Sequence, residues 1–414
     1  VQALVRRYAA TCGMTGTAMA AAEQFREFYA LEVAVIPPNR PCIREDEPDR
    51  LYATVADKES AVVAEIVAAH EAGRPVLIGT LDVAESERLA GKLGDAGVDC
   101  VVLNAKNDAQ EAAIIAEAGT YGVVTCSTQM AGRGTDIRLG GAAGADRDRV
   151  VATGGLAVVA TGRHRSSRID AQLRGRAGRQ GDPGRSVTFA SLDDELVQKY
   201  VPDAAPAAEP AADGRVEDGH VRHTIEHAQR VAEGVDLEIH HNTWRYNRLV
   251  EGQREAMSVR RRELLHTDIA AERLQEWRPE RYAELRDAVG EPELVRACRL
   301  VALHHLDRCW VQHLEFLTDL RDGIHLRALG RESPLDAFNK AAIEAFESGL
   351  AAVDEETVQT FEALEVEGDR IDLDLAGLKR PTATWTYLVK DNPFGTQGDR
   401  VLAWLGSKVR RPRR

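Results

Sequence analysis

Short apolar segments alternate with helical patterns between about residues 55 and 200, and this alternation constrains the fold more than any other feature of the sequence. The segments are rich in β-branched residues and lie at 76–78, 100–103, 123–126, 156–159 and 187–189. Helical patterns separate them at 57–72, 82–96, 108–118 and 167–179. Short apolar strands that alternate with helices are typical of a parallel sheet covered on both faces. We therefore predict an α/β fold for this half of the chain.

A glycine-rich loop follows the third predicted strand, and ligands of such sheets bind beyond the carboxyl ends of the strands. The loop contains Gly132, Arg133 and Gly134, and Asp136 comes shortly after. The two glycines allow close approach of the backbone to a ligand. The carboxylate of Asp136 suits a ribose, a base or a neighbouring arginine. The same residues are also compatible with an ordinary turn.

The segment 172–181 carries Gln172, Arg176 and Arg179 at the spacing i, i+4, i+7. This spacing places the three side chains on one face of a predicted short helix, whose end is signalled by Gly181 and Pro183. Guanidinium groups stay charged and present several planar donors, so two of them on one face suit a bound phosphate. A solvent-exposed basic face is the alternative interpretation.

The first 37 residues contain Thr15, Gly16 and Thr17 ahead of a helical pattern. The two hydroxyl groups could relay a change in hydrogen bonding between two lobes, and a plain turn that caps the helix is the alternative. The chain begins at Val1, and a motif follows within a few residues. We therefore expect it to be the C-terminal part of a longer protein.

The sequence pattern of the second half of the chain predicts helices. Residues 202–219 are rich in Pro, Ala and acidic residues, which indicates a linker. One helix of about 70 Å is predicted over 220–266, followed by a short polar connection to 292. Apolar stripes at 293–321 and 334–366 predict a helical hairpin with a tight turn at 322–325. The tail contains a possible strand at 384–389 and a basic end at 410–414.

His223, Glu226 and His227 match the H-x-x-E-H pattern of some zinc enzymes. No third ligand follows at helical spacing, so we interpret this stretch as a solvated helix start and expect no metal site.

Composition excludes several classes of protein. The 414 residues suffice for two or three domains, and the net charge of −13 argues against binding of nucleic acid by bulk electrostatics. Six scattered cysteines without a C-x-x-C pair indicate reduced thiols in a cytosolic protein. No apolar run reaches the roughly 18 residues that a membrane span needs.

Taken together, the motifs resemble those of the SecA family, the ATP-driven motors of bacterial protein export. Segments 13–18, 36–41, 130–137 and 172–182 match the family sequences GMTGTA, IPPNRP, MAGRGTDI and QLRGRxGRQGD. Further matches at 225–229 and 306–327 fall in the family's long scaffold helix and its two-helix finger. The C-terminal half of a superfamily 2 nucleic-acid helicase is the alternative, although a helicase would share the arginine motif without the finger or the IPPNRP segment.

The resemblance implies a motor cleft between two RecA-like domains and an all-α scaffold helix and helical hairpin behind them. Its implied boundaries are 1–37 for the end of the first nucleotide-binding domain, 38–201 for the second, 202–219 for a linker, 220–292 for the scaffold helix and connection, 293–366 for the finger and 367–414 for the C-terminal segment. The catalytic residues would be the arginine fingers Arg176 and Arg179. The nucleotide-binding residues would be Asp136, Arg133, Gly132, Gly134 and Gln172, and the coupling residues Thr15, Gly16 and Thr17.

The resemblance also implies ligands and partners. The cofactor would be ATP, with Mg²⁺ held by an upstream N-terminal domain, because the 414 residues contain no G-x-x-x-x-G-K-[ST] lysine loop. For that reason we expect this part alone to lack ATPase activity. The partners would be the SecYEG channel, preproteins, an anionic membrane surface and a second copy of the chain, with no nucleic acid. The expected location is the cytoplasm, with peripheral association at the inner face of the cell membrane.

Two departures from the family pattern refine the resemblance. Only about 25 residues join the predicted scaffold helix to the finger, which leaves no room for the usual helical wing domain and resembles the accessory SecA of actinobacteria. The family's cysteine-rich zinc tail is also missing, so again no metal is expected.

Overall fold

The computed structural model describes residues 2–103, 108–128, 134–202, 210–368, 370–373 and 378. Its chain divides into two units, one formed by Tyr8–Leu237 and the other by Val1–Arg7 together with Glu238–Arg414.

The Tyr8–Leu237 unit is built on a parallel sheet. Its strands are β1 (Glu45–Asp46), β2 (Arg50–Tyr52), β3 (Val76–Thr80), β4 (Cys100–Leu103), β5 (Val124–Thr128), β6 (Leu156–Ala160) and β7 (Gly184–Ser191). They lie in the order β1-β7-β6-β3-β5-β4, and β2 also pairs with β7. All pairs among these strands are parallel. The predicted parallel sheet is therefore confirmed, and β1 and β2 are additional strands that the sequence analysis did not predict.

Helices cover both faces of this sheet. The helices of this unit that precede the long helix are α2 (Ala22–Tyr29), α3 (Val55–Glu71), α4 (Val83–Asp95), α5 (Asp108–Glu117), α6 (Arg147–Ala152), α7 (Ser167–Arg174) and α8 (Glu195–Tyr200), whereas α1 (Gln2–Val5) belongs to the other unit. On one face, Ile78 of β3 packs in a cluster with Ile66 of α3 and Leu89 of α4. On the other face, the adjacent Leu77 packs in a cluster with Ile115 of α5. Successive strand residues point to opposite faces, so β3 is buried on both sides.

The second half of the chain is helical. Helix α9 (Gly219–His266) begins in the Tyr8–Leu237 unit and ends in the other, helical unit, whose further helices in chain order are α10 (Ile269–Trp277), α11 (Pro279–Val289), α12 (Glu291–Gly323) and α13 (Pro334–Glu362). The long helix and the hairpin formed by α12 and α13 agree with the sequence prediction. The turn between the hairpin helices differs, because a 3-10 helix at Ile324–Gly330 replaces the expected tight turn.

The predicted polar connection at 266–292 is instead largely helical, because α10 and α11 both lie within it. Leu274, Tyr282 and Leu285 on these helices are each no more than 2% exposed. They join the buried cluster that includes Leu294 of α12 and Phe361 of α13. The connection is therefore part of the core of the helical unit.

The segments outside regular helices also show packing that the sequence did not predict. Val216, in the stretch interpreted as a linker, is 3% exposed, and its backbone N–H donates to the carbonyl of Leu51 over 2.8 Å. After α13, β8 (Glu365–Glu367) and β9 (Arg370–Asp372) form an antiparallel pair. Residues 203–209 of the linker, the strand predicted at 384–389 and the basic end lie outside the described residues. None of the helices in the described ranges combines the length and apolar character needed to cross a membrane.

Candidate functional site

An open cleft of about 770 Å³ lies at the carboxyl end of β5, within the Tyr8–Leu237 unit. It is lined by Met14, Thr15, Leu77, Ile115, Ser127, Thr128, Gly134, Thr135, Asp136, Arg168, Ile169, Gln172, Leu173, Arg176, Arg179 and Gln180. Among the described residues of this lining, the ionisable side chains are three guanidinium groups and one carboxylate. The cleft therefore carries an excess of positive charge, which suits an anionic ligand.

Arg179 and Asp136 form the central ion pair of the cleft. The Nη1 of Arg179 donates to Oδ1 of Asp136 over 2.9 Å, and its Nε donates to the carbonyl of Gly175 over 3.0 Å. The second carboxylate oxygen accepts from Nε2 of Gln180 over 3.2 Å. Both partners of the pair are about a third exposed. Asp136 therefore holds the side chain of Arg179 at the cleft, as the sequence analysis allowed when it named an arginine among its possible partners.

Arg176 lines the same cleft. Its Nη1 donates to the carbonyl oxygen of Thr135 over 3.2 Å, next to Asp136 in the chain. The two arginines thus converge on the segment that follows the glycine-rich loop. Gly134 lines the cleft with a φ of 86°, a left-handed conformation that favours glycine. Gly132 and Arg133 lie outside the described residues.

The predicted single helix through 172–181 is wrong, and so is the predicted helical face shared by Gln172, Arg176 and Arg179, although all three residues line one cleft. Helix α7 ends at Arg174, and Gly178 and Gln180 have φ values of 69° and 55°. These left-handed residues turn the chain, so Arg176 and Arg179 do not lie on the helical face of Gln172. They line the same cleft because the turn, rather than the helical repeat, directs them there.

Two arginines that the sequence analysis did not single out hold this turn in place. Arg44 donates from Nη1 to the carbonyl of Ala177 over 3.0 Å, and Arg40 donates from Nη1 to the carbonyl of Gln180 over 3.3 Å. The exposed thiol of Cys42 lies between them in sequence, with its Sγ 3.8 Å from the carbonyl oxygen of Gly178. No periodic signal in 40–44 identifies these contacts, because they are made to backbone carbonyls more than 130 residues away.

Arg168 is a third cleft arginine that the sequence analysis missed. It lies on α7, one helical turn before Gln172, and its Nε is buried without a hydrogen-bond partner among the described atoms. Extending the i, i+4 pattern of the motif backwards from Gln172 would have found it.

The coupling residues named from the sequence lie next to Gln172. Its Nε2 is 3.5 Å from the hydroxyl oxygen of Thr17, which is in turn 3.3 Å from that of Thr15. Gly16 lies between the two threonines in an exposed turn. The structure therefore places a chain of hydrogen-bonding groups from 15–17 to the start of the arginine motif.

Metal ligands were not expected from the sequence, and the described residues contain no group of three or more His, Cys, Asp or Glu side chains that could hold a metal ion. His223 and His227 stack with parallel rings whose centroids are 6.3 Å apart. The single carboxylate of the cleft lining, Asp136, already accepts hydrogen bonds at both oxygens, so this lining does not suit a Mg²⁺ ion, which takes several oxygen ligands.

The doubly covered parallel sheet and the cationic cleft at its carboxyl edge define an α/β domain of the class that binds ligands beyond the carboxyl ends of its strands. Comparison with protein families agrees: the SecA P-loop domain matches residues 41–147 and 142–208, and the SecA wing and scaffold domain matches 270–365. The chain belongs to the SecA family. The predicted absence of a helical wing domain stays a prediction.

Individual relatives support the same family. The chain is 58% identical to protein translocase subunit SecA 2 of Thermobifida fusca, over 97% of this chain and 52% of that protein. It is 56% identical to SecA 2 of Mycolicibacterium smegmatis, over 98% of this chain and 53% of that protein. It is also 56% identical to SecA of Mycobacterium avium, over 95% of this chain and 51% of that protein. The chain thus spans about half the length of the curated relatives it matches.

Solved structures give only partial matches. The DEAD-box protein SrmB of E. coli, in a complex with the regulator RraA, aligns with 44% of this chain and 97% of its own, at 17% identity and a TM-score of 0.30. Domain 2 of the DEAD-box helicase Mss116p, bound to an RNA duplex, aligns with 44% of this chain and 69% of its own, at 15% identity and a TM-score of 0.29.

Proposed function

We propose that this chain supplies the second nucleotide-binding domain, scaffold helix and finger of an ATP-driven SecA protein translocase. The single observation that carries the proposal is the convergence of Arg176 on the carbonyl of Thr135 and of Arg179 on Asp136 in one open cleft. Membership of a P-loop ATPase family supports the same conclusion. The boundaries expected from the sequence, with the second nucleotide-binding domain at 38–201 and the finger at 293–366, form part of this proposal.

In the proposed mechanism, ATP binds with its phosphates facing Arg176 and Arg179. Planar guanidinium groups stabilise the negative charge that spreads over the oxygens of the transferring phosphoryl group. Asp136 keeps the fork of Arg179 directed at the cleft, and Gly134 allows the backbone to approach the nucleotide. Gly132 and Arg133, which lie outside the described residues, are assigned to the nucleotide site by the family resemblance alone.

Mg²⁺ and the lysine loop are assigned to a preceding nucleotide-binding domain. This assignment fits the cleft, because its one carboxylate is already engaged by Arg179 and Gln180. Gln172, through Thr15, Gly16 and Thr17, then links the arginine motif to that domain. The 414-residue chain alone accordingly binds nucleotide weakly and does not hydrolyse it.

The proposed work of the motor is export of preproteins through the SecYEG channel. The proposal includes peripheral attachment of the protein to an anionic membrane at the cytoplasmic side and its contact with a second copy of the chain. The net charge of −13 supports a protein rather than a nucleic acid as the substrate, so the helicase alternative is not adopted.

The test is substitution of the two arginines in a full-length SecA protein that carries this sequence. Arg176→Ala and Arg179→Ala should each retain ATP binding and lower kcat by about 10³-fold or more, as loss of an arginine finger does in related phosphate-hydrolysing enzymes. Turnover and the Kd of a fluorescent ATP analogue are measured in parallel, with the 414-residue chain as a second sample.

Arg88→Ala is the matched control, because Arg88 is a half-exposed arginine of the same domain that pairs with Glu59 on α3. It should leave kcat unchanged. An unchanged kcat in both cleft variants, or turnover by the 414-residue chain at the rate of the full-length motor, contradicts the proposal.

A further inference from the structure

One face of the long helix α9 contacts the segment that leads into the arginine motif. Gln229, Glu233 and Asp236 follow one another at the spacing i, i+4, i+7, which aligns them along the helix. Their partners are residues 164–170, at the beginning of α7. Both sets lie in the Tyr8–Leu237 unit. We call this set of contacts the α7–α9 clasp.

Asp170 is the buried centre of the α7–α9 clasp. Its Oδ1 accepts from the backbone N–H of His164 over 3.0 Å and lies 2.7 Å from Nδ1 of the same residue. Its Oδ2 accepts from Nε2 of Gln229 over 2.7 Å and from Nη1 of Arg163 over 3.2 Å. Gln229 also donates to the carbonyl of His164 over 2.8 Å. Burial alone would raise the pKa of Asp170, but the hydrogen bonds from His164 and Gln229 outweigh it and hold the pKa below its ordinary value.

Glu233 supplies the cap that α7 lacks. The side chain of Ser166, at the N-cap position, makes no capping hydrogen bond. Instead, Oε1 of Glu233 accepts from the backbone N–H of Ser167 over 2.6 Å and from its hydroxyl over 2.8 Å. A carboxylate at a helix N-terminus satisfies a free N–H and interacts favourably with the helix dipole. Asp236 adds an ion pair with Arg165 at the surface.

The α7–α9 clasp lies next to the cleft, because both include residues of α7. Asp170 is flanked on α7 by Ile169 and Gln172, which both line the cleft, and the turn with Arg176 and Arg179 begins where α7 ends. The start of α9 is itself anchored, because Ile225 and Ala228 are buried against α8. The beginning of α7 is thus held by a helix that is itself packed in a buried cluster rather than by a loop.

We propose that Glu233 and Gln229 are positioning residues, which hold the arginine motif of the cleft in place by fixing the beginning of α7. This inference rests on the proposed function for the meaning of the motif, but the positioning itself is a property of the chain without nucleotide. The clasp residues of α9 all lie within the Tyr8–Leu237 unit, as the cleft does.

The test uses hydrogen–deuterium exchange in the 414-residue chain without nucleotide. In Glu233→Ala, exchange should rise about tenfold in 167–174 and also in 175–182, the segment with Arg176 and Arg179. Strands β3 and β6 should keep their protection. A cap with no positioning role would affect the first turn of α7 alone, so the readout at 175–182 distinguishes the two.

Three further variants sharpen the test. Glu233→Gln keeps an acceptor oxygen and should restore most of the protection, whereas Gln229→Met removes the donor to Asp170 at similar volume and should reproduce the effect of Glu233→Ala. Glu226→Ala is the control, because Glu226 is an exposed glutamate two turns earlier on α9. It should change nothing in either segment.

Binding of fluorescent ADP separates this inference from the proposed function. A higher Kd for ADP in Glu233→Ala, together with faster exchange in 175–182, supports both the positioning role and the proposed function. Faster exchange in a chain whose wild type does not bind ADP supports the positioning role and counts against the proposed function. Unchanged exchange in 175–182, or an equal rise throughout the sheet, overturns the inference.

Discussion

Asp136 shows how one residue organises the cleft. Its two carboxylate oxygens accept from Arg179 and Gln180, so it fixes the direction of the turn that follows α7. The neighbouring carbonyl of Thr135 accepts from Arg176 in the same way. Two consecutive residues of one loop, Thr135 and Asp136, thereby hold Arg176 and Arg179 at the cleft.

Gly178 is a second residue on which the turn depends. It has a φ of 69°, and a Cβ at this position would lie 2.5 Å from Cβ of Arg44. We predict that Gly178→Ala lowers the free energy of unfolding by about 1–3 kcal/mol, because the backbone is strained and Arg44 must move. Calorimetry of the purified chain measures the change.

The matched control is Gly91→Ala. Gly91 lies in the middle of α4 and has no neighbouring atom within 4 Å of an added Cβ. Alanine there should stabilise the helix by about 0.5–1 kcal/mol. Equal effects of the two substitutions would show that the turn tolerates a side chain and would contradict the structural argument.

The cleft residues show what residue spacing can and cannot predict. The i, i+4, i+7 pattern brought together Gln172, Arg176 and Arg179, and all three line the cleft. The pattern predicted a continuous helix, however, because helical periodicity carries no information on the left-handed φ of Gly178. The contacts of Arg44 could not be predicted from the sequence either, because they depend on backbone carbonyls that only the fold brings near.

At the scale of elements, α4 has a well-defined beginning. Asp82 is its N-cap and accepts from the backbone N–H of Glu85 over 2.7 Å, while the Glu85 carboxylate accepts from the N–H of Leu81 over 2.7 Å. This reciprocal arrangement resembles a capping box. We predict that Asp82→Ala lowers the free energy of unfolding by about 1 kcal/mol, measured by urea denaturation followed by circular dichroism.

Asp95→Ala is the control for this prediction, because Asp95 is the last residue of the same helix. A carboxylate near the negative end of the helix dipole does not help the helix, so its loss should be neutral or slightly stabilising. A larger loss from Asp95→Ala than from Asp82→Ala would refute the capping argument.

The elements that sequence predicted best were those with a strong local signal. Strands β3 and β6 are apolar and fully buried, so composition alone identifies them. Strand β1 has only two residues, both acidic and exposed, and it is positioned by ion pairs such as that of Arg185 with Glu47. No local pattern predicts such a strand, because its partner is distant in sequence.

Two prolines mark the beginnings of α11 and α12. Pro279 and Pro292 lie in the stretch predicted to be a polar connection, and they stand in the first turns of these two helices. Proline is favourable there, because the N–H that it lacks has no partner within a helix in any case. Arg278 is the C-cap of α10 and the N-cap of α11, and Gly290 is the C-cap of α11 and the N-cap of α12, so each helix begins where the previous one ends.

At the scale of the whole molecule, buried histidines make stability depend on pH. Burial lowers the pKa of His313, and burial also lowers the pKa of His305 despite its contact with Glu356. Below the ordinary value of about 6.5, the unfolded chain takes up protons that the folded helical unit resists. The free energy of unfolding should therefore fall as the pH is lowered from 7.5 through 6.5.

Urea denaturation at a series of pH values measures this effect, and His313→Gln should flatten the profile between pH 7.5 and 5.5. The exposed His266→Gln is the control and should leave the profile unchanged. Carboxylates with a lowered pKa, such as Asp170, also contribute to the free energy of unfolding. They lose this contribution only at lower pH, below the ordinary carboxylate pKa of about 4. A profile that is flat above pH 5.5 in the wild type would contradict the role of the histidines.

The contact of Cys42 with Gly178 has a practical consequence for optical measurements. Cys126, Cys298 and Cys309 are shielded in the cores, whereas Cys12 and Cys42 face solvent. After Cys12→Ser, a maleimide fluorophore will attach preferentially at Cys42, beside the turn that presents the cleft arginines. The natural thiol thus offers a position from which dye emission can follow that turn in real time, without the introduction of a foreign cysteine.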